Sequence, residues 1–250
     1  ALAGIGIVTT LFVREPQAGV SREVAERETR VVEWLERKAH WPGSLREFGA
    51  TFIGAVICPL TDFFARYGGR LAIMTLLLVG SYRLTEFTMG SMANPFYIDH
   101  GYTLGQIATI VKAYGLPVSM LGVVLGGVVI AKFGLRRALF LGSGLIIASN
   151  LGFSLLATTT TPTLIGLALV NSLDNLAQGV HGTALIAFLS SLTSSRYTAT
   201  QYALFSSLYA LPGKLLEGTS GFVVDAIGYP TFFVYTAALS IPGLVLLVWL

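Results

Sequence analysis

The chain of 250 residues is 54% hydrophobic and 12% charged, and its formal net charge at pH 7 is +3. Its charged fraction is about half that of an average soluble domain, which excludes an ordinary water-soluble protein and favours a membrane protein. The single cysteine, Cys58, excludes an internal disulfide and a cysteine-based metal cluster, and the three histidines fall on separate predicted elements. We therefore predict neither a metal site nor a cofactor.

The first 69 residues contain no predicted complete membrane span. Residues 1–13 are apolar but shorter than the roughly 20 residues that a spanning helix needs, so we interpret them as the end of a preceding transmembrane helix. Residues 14–69 are predicted to form a cytoplasmic loop. Within this loop, residues 21–40 are predicted to form a charged helix. We favour a solvated helix that links two membrane bundles over a helix that binds a partner. Residues 46–68 are predicted as an interfacial helix on the inner leaflet, because their apolar run is too short to span.

Charge in the loop is balanced. Glutamates interleave with its arginines and cancel their positive charge. A nucleic-acid partner is therefore not predicted, because a binding surface for nucleic acid needs a net basic patch.

Six later segments are long and apolar enough to span a bilayer, and together they predict a helical bundle over 70–250. The six are about 70–92, 104–131, 137–157, 163–191, 202–227 and 230–250. Lysine and arginine occur in the loops 14–69, 132–137 and 192–201, which places these loops on the cytoplasmic side. The loops 93–103, 158–162 and 228–230 contain neither residue and are predicted to lie outside. The basic residues of the loop 132–137 are Lys132, Arg136 and Arg137. We interpret them as an anchor of the membrane topology and as a latch that holds a gate.

An internal repeat relates the six segments. QIATIVKAYGLP (106–117) and QYALFSSLYALP (201–212) share Gln, Ala, Tyr, Leu and Pro at a shift of 95 residues. The same shift carries 70–92 onto 165–187. The chain thus contains two three-helix units, 70–157 and 163–250. Because each unit has an odd number of spans, the second is inverted relative to the first, an organisation typical of major facilitator transporters.

Seven ionisable residues lie well inside predicted spans, away from the ends of these segments. A charge at the middle of a spanning helix costs about 2.5–3.5 kcal/mol on insertion scales, so such residues usually face a partner, a cavity or a substrate path. They occur on the first and second helices of each unit, and we expect the third helices to face lipid. The seven are Arg83, Glu86, Lys112, Asp174, His181, Lys214 and Glu217.

A polar stripe follows the first helix of the second unit. Asn171, Asp174, Gln178 and His181 are spaced three, four and three residues apart, which places them on one face of a helix. We favour the wall of a water-filled pathway over a polar seam between helices.

Two further pairs have helical spacing. Arg83 and Glu86 are three residues apart, as are Lys214 and Glu217. In a functional interpretation, the carboxylate of each pair binds a proton, and the cation either promotes release of that proton or binds an anionic substrate. In a structural interpretation, the two opposite charges of each pair neutralise each other.

Four stretches of the sequence resemble the AmpG-type muropeptide permeases of the major facilitator superfamily. They are 82–115, 133–150, 174–192 and 197–215, of which the run YTATQYALFSSL is the most specific. The resemblance implies an all-α membrane protein, here the six-helix C-terminal half of a twelve-helix permease whose N-terminal half completes the cavity. It further implies proton-driven import of anhydro-muropeptides across the bacterial inner membrane, which feeds peptidoglycan recycling. These substrates are cell-wall fragments made of an amino-sugar disaccharide that carries a short peptide.

The resemblance also implies roles for individual residues. The family pattern is matched at Arg83, Glu86, Lys112, Asp174 with Asn175, and Lys214, whereas Gln178, His181 and Glu217 depart from it. Our hypothesis assigns the proton to Glu86 and Asp174, with His181 and Glu217 as secondary candidates. The predicted substrate contacts are Arg83, Lys112, Asn171, Asn175, Gln178 and Lys214.

Two alternatives to a muropeptide permease stay open. One is a carrier for another anionic solute, such as acetyl-CoA. The other is a membrane-embedded sensor or assembly protein that acts through loop 14–50. An enzyme is not predicted, because no nucleophile–base arrangement stands out in the sequence.

Overall fold

The computed structural model describes residues 33–34, 36–37, 42–194 and 197–250, without the side chain of Arg46. The prediction for residues 1–13 and most of the charged helix predicted at 21–40 lie outside the described residues. The chain divides into two compact units, Ala1–Pro59 and Leu60–Leu250.

The first described helices form one long run. Helix α1 (Gly43–Phe52) continues through a π-helical turn (Ile53–Ile57) into α2 (Cys58–Tyr67). The run Gly43–Tyr67 is long and apolar enough to cross a membrane by length and composition. The described helix is thus longer than the apolar run on which the prediction of an interfacial helix at 46–68 is based. Its placement on the inner leaflet stays a prediction.

The remaining described elements are also helices. They are α3 (Gly69–Tyr82), α4 (Leu84–Asp99), α5 (Leu104–Ile107), a π-helical segment (Ala108–Tyr114), α6 (Gly115–Phe133), α7 (Leu135–Ala157), α8 (Leu164–Leu192), α9 (Thr198–Glu217), α10 (Ser220–Ala238) and α11 (Ile241–Trp249). The part of the chain that the structure describes contains no strand.

Five helical runs within the described residues could cross a membrane by length and composition. They are Gly43–Tyr67, Gly69–Asp99, Leu104–Phe133, Leu135–Ala157 and Ser220–Trp249. The predicted span 163–191 falls on α8, and the predicted span 202–227 covers most of α9 and the start of α10. Helices α8 and α9 are not in this set, because their amide, hydroxyl and charged side chains lower their hydropathy. The predicted outer loop 93–103 is shorter than expected, because α4 continues through Pro95 to Asp99.

Breaks in the helices occur near Pro117 and at two glycines, whereas Pro212 lies inside the continuous helix α9. The π-helical segment Ala108–Tyr114 directly precedes the turn that contains Pro117, whose ring cannot fit an undistorted helix. Gly134 separates α6 from α7 with φ 84° and ψ 163°. Gly228 has φ 74° and ψ 163° inside α10, at the position of the predicted loop 228–230. Residues with side chains rarely adopt this conformation, so the two glycines, 94 positions apart, mark equivalent turns of the repeat.

Two apolar clusters form the core of Leu60–Leu250 and leave a polar layer between them. One includes Phe63, Leu78, Tyr82, Leu139, Ala184, Leu185 and Phe205; the other includes Met89, Phe96, Phe153, Leu167 and Phe233. Along α3 and α4 the first cluster ends at Tyr82 and the second begins at Met89. Along α8, Leu167 belongs to the second cluster and Ala184 to the first. The charged residues between these limits are Arg83, Glu86, Asp174 and His181.

Glycines bring α8 close to its neighbours. A Cβ atom on Gly179 of α8 would lie 2.6 Å from the backbone of Gly122 in α6, and one on Gly142 of α7 would lie 2.8 Å from Cα of His181. Such contacts are possible only without side chains at these positions. Helix α8 is therefore packed tightly on two sides, which fixes where its polar residues lie.

Candidate functional site

Both carboxylate oxygens of Glu86 have partners. Oε2 accepts a hydrogen bond from Nε of Arg83, and Oε1 lies 2.7 Å from Nδ1 of His181 on α8. The His181 ring is 2% exposed and stacks on the ring of Tyr82, with centroids 4.0 Å apart. The Tyr82 hydroxyl in turn donates to the carbonyl of Leu139 at 2.9 Å. The structure thus joins His181 to Glu86, and these contacts make the burial of the carboxylate tolerable.

An aromatic pair connects the two predicted charge pairs. The guanidinium carbon of Arg83 lies 5.4 Å from the ring centroid of Phe87 and 5.5 Å from that of Tyr209. The Lys214 ammonium lies 5.4 Å from the same Phe87 centroid and 3.1 Å from Oε2 of Glu217. The Arg83 side chain is 31% exposed and the Lys214 side chain 64%. Both predicted pairs are therefore formed, and both cations remain accessible.

Asp174 has a different environment from Glu86. Its Oδ1 accepts a hydrogen bond from Oγ of Ser149 at 2.8 Å, and its Oδ2 accepts one from Nε2 of Gln178 at 2.6 Å. Asp174 is buried, and among the described side chains none forms an ion pair with it. Among the described residues, the donors that hold this carboxyl group are the neutral side chains of Ser149 and Gln178.

Asn171 of the polar stripe and Asn175, one turn further along α8, both contact backbone. Nδ2 of Asn171 donates to the carbonyl of Ile110 in the π-helical segment at 3.2 Å, and Nδ2 of Asn175 donates to the carbonyl of Asn171 at 2.8 Å. A Cβ atom on Gly115 would lie 3.1 Å from both amide nitrogens. These amides therefore contribute to helix packing here, and their contact with substrate stays a prediction.

The remaining predicted bases are exposed. Lys112 lies on the π-helical segment, and none of the described residues forms a hydrogen bond or ion pair with it. In the turn between α6 and α7, Lys132, Arg136 and Arg137 are exposed, and Arg136 donates to the carbonyl of Val248 at 3.2 Å. Within the described ranges, no three His, Cys, Asp or Glu side chains gather in a way that could hold a metal ion.

The family model of the Major Facilitator Superfamily matches residues 1–215. The chain belongs to this superfamily. It is 34% identical over 200 residues to the AmpG 4 protein of Rickettsia felis, which covers 80% of this chain and 47% of that protein. It is 34% identical over 194 residues to the anhydromuropeptide permease of Escherichia coli K12, covering 77% of this chain and 39% of the permease. An uncharacterized protein of Haemophilus influenzae is 34% identical over 211 residues, 82% of this chain and half of that protein. The chain thus spans half or less of the length of these relatives.

This major facilitator protein is a multi-pass membrane protein, and one of its third helices is part of the polar layer. The expectation that third helices only face lipid is wrong for α7, where Ser149 is fully buried and donates to Asp174. Asn150 beside it is also buried. A census of ionisable residues misses these two neutral groups, although adjacent polar residues in an apolar helix are a signal that could have found them.

Sequence reasoning also missed a polar network that joins α2 to the start of α9 in this superfamily member. Nε2 of Gln201 donates to Oδ2 of Asp62 at 3.0 Å, while Oε1 of Gln201 accepts from Arg66 at 3.2 Å and from the amide of Ser194 at 2.7 Å. Arg66 also donates to the carbonyl of Leu192 at 3.0 Å. Gln201 is 1% exposed, so the network is buried at its centre.

Proposed function

We propose that this protein imports anhydro-muropeptides across the bacterial inner membrane together with protons. Its similarity to the anhydromuropeptide permease of Escherichia coli supports the substrate, and its polar layer between two apolar clusters supports a path through the bundle. The observation that carries the proposal is the buried Glu86 carboxylate, held by His181 and Arg83 next to accessible cations.

Glu86 is proposed to couple the proton to the substrate through Arg83. When the carboxylate takes up a proton, it loses its charge and its attraction for the guanidinium weakens. Arg83 then becomes available for a carboxylate of the substrate. Loss of the proton on the cytoplasmic side restores the pair with Glu86 and releases the substrate.

Asp174 is the second proposed proton site. Because its partners Ser149 and Gln178 are neutral donors, it can take up a proton without breaking an ion pair. Burial away from cations disfavours the charged form of a carboxyl group, so the two acids differ in how proton uptake is controlled.

The substrate is proposed to contact cations and amides of the polar layer. Arg83 and Lys214, which share the ring of Phe87, attract its carboxylates, and Lys112 attracts it from a separate position. The amides proposed to bind the sugar and peptide are Asn171, Asn175 and Gln178. The basic turn at Lys132, Arg136 and Arg137 is proposed to act at a cytoplasmic gate.

Uptake of labelled anhydro-muropeptide into membrane vesicles that contain the full-length protein tests the proposal. We expect uptake to follow an imposed proton gradient in the wild type and in the control Asp225→Asn, an exposed aspartate on α10. Glu86→Gln and Asp174→Asn should abolish the dependence on the gradient. Proton-dependent uptake that persists in both variants would contradict the proton assignment.

The same vesicles separate the alternatives. Uptake of acetyl-CoA without uptake of muropeptide would show that the protein carries acetyl-CoA instead of muropeptides. A sensor or assembly protein predicts no flux of either solute, together with loss of function when loop 14–50 is deleted.

A further inference from the structure

Phe87 occupies the position where α4 meets α9. Its ring lies 5.4 Å from the guanidinium carbon of Arg83 and 5.4 Å from the ammonium of Lys214, so the two cationic groups are at most twice that distance apart. The ring also stacks on Tyr209, with centroids 6.5 Å apart and an angle of 22° between planes. Two cations from two helices therefore share one aromatic ring.

Helix α9 makes room for this ring. A Cβ atom on Gly213 would lie 2.3 Å from Cδ2 of Phe87, a distance that no real contact allows. The glycine precedes Lys214 directly, so the residue that admits the ring also places the second cation beside it. The position of the ring thus depends on local sequence in both helices.

The ring holds the cations without neutralising them. The negative face of an aromatic ring attracts a cation through its quadrupole, by about 0.5–2 kcal/mol, but carries no net charge. Arg83 and Lys214 also have carboxylate partners, Glu86 and Glu217, each three residues further along its own helix. The ring itself therefore keeps two like charges near each other without adding a negative charge of its own.

We propose that Phe87 is a positioning residue that sets the spacing of Arg83 and Lys214 for a substrate with two anionic groups. This inference rests on the proposed function, which it narrows to muropeptides with two free carboxylates. Tyr209 supports the ring from α9, because its stacking on Phe87 and its contact with Arg83 limit movement of both.

Direct binding measurements test the inference independently of transport. The probes are a muropeptide with two free carboxylates and the same molecule with one carboxylate amidated, titrated into purified full-length protein. Phe87→Leu keeps an apolar side chain but removes the aromatic face, so it should raise the Kd for the dicarboxylate by roughly two- to thirty-fold. It should change the Kd for the amidated probe much less, and Phe87→Trp should restore tight binding.

A double-mutant cycle that combines Phe87→Leu with Lys214→Gln tests whether the Phe87 ring affects binding through the Lys214 ammonium. In the Lys214→Gln background, Phe87→Leu should have a smaller effect than in the wild type, because one of the positioned charges is already absent. Equal effects of Phe87→Leu on both probes, or an unchanged Kd, would overturn the inference. Failure of the wild type to bind the dicarboxylate would overturn it too, whereas binding without uptake in vesicles would contradict the proposed function alone.

Folding is monitored in parallel. Thermal unfolding of each purified variant should show that Phe87→Leu and Phe87→Trp remain folded at the temperature of the titration. A merely structural role predicts that binding of both probes falls in proportion to the folded fraction, which would contradict a positioning role.

Discussion

Glu86 and His181 are equivalent positions of the two repeats, and they contact each other. Their separation of 95 residues equals the shift that relates the three-helix units, and Oε1 of Glu86 lies 2.7 Å from Nδ1 of His181. The structure therefore brings repeat-equivalent positions on the first helices of the two units into direct side-chain contact, within the polar layer between the two apolar clusters.

Exchanging Glu86 and His181 should be better tolerated than replacing either alone. Glu86→His leaves two imidazoles beside Arg83, and His181→Glu leaves two buried carboxylates. Removing one partner of a buried pair costs about 3–5 kcal/mol, whereas the double variant restores an acid and a base that face each other. We expect thermal unfolding in detergent to rank the double variant above both single variants. A double variant whose loss equals the sum of the single losses would contradict the coupling.

Asp174→Asn should separate the charge of this residue from its structural role. Because Gln178 is exposed, its amide can turn and accept from the new amide, while Ser149 continues to donate. We expect the free energy of unfolding to change by less than about 1 kcal/mol for Asp174→Asn, and to fall by about 1–3 kcal/mol for Asp174→Leu, which leaves the buried hydroxyl of Ser149 without a partner. Equal destabilisation by the two substitutions, measured by chemical unfolding, would be inconsistent with these hydrogen bonds.

Contacts within one helix could be predicted from the sequence, and contacts between helices could not. The pairs Arg83–Glu86 and Lys214–Glu217 follow from a spacing of three residues, and both are formed. The contact of His181 with Glu86 depends on how closely α8 approaches its neighbours. Phe87 was missed because an aromatic residue in an apolar helix looks like ordinary core, and only its neighbours in space distinguish it.

Some helix ends could likewise be predicted from the sequence, and others could not. The turn at Gly228 could be predicted, because its spacing from Gly221 repeats that of Gly134 from Gly127. The end of α4 could not, because Pro95 suggests a loop yet lies inside a helix that continues to Asp99. Neighbouring helices in a bundle tolerate such a proline, which is information that no local pattern carries.

Two glycines of α8, three residues apart, should respond oppositely to alanine. Gly179→Ala places a Cβ atom 2.6 Å from the backbone of Gly122, so α6 and α8 must separate, and we expect a loss of about 1–3 kcal/mol in the free energy of unfolding. Gly182→Ala is the matched control, since nothing lies within 4 Å of its Cβ position. Alanine there should stabilise the helix by about 0.5–1 kcal/mol. Unfolding by denaturant measures both, and similar effects at the two positions would contradict the close approach of α6 and α8.

The two glutamines that first revealed the repeat should have different effects when replaced by alanine. Gln106 forms a local capping box with Thr103 at the start of α5, so Gln106→Ala should loosen that helix end by about 1 kcal/mol without affecting distant residues. Gln201 instead joins Asp62 and Arg66 to the start of α9. Its removal leaves buried polar groups of this network without partners.

Hydrogen–deuterium exchange distinguishes these two roles. We expect Gln201→Ala to accelerate amide exchange at residues 60–67, because that part of α2 is hydrogen-bonded to the bundle through Asp62 and Arg66. Gln106→Ala should leave exchange at 60–67 unchanged and accelerate it only near its own helix end. If Gln201→Ala also acted only near residue 201, the network would not hold α2 in place, and repeat-equivalent glutamines would share one local role.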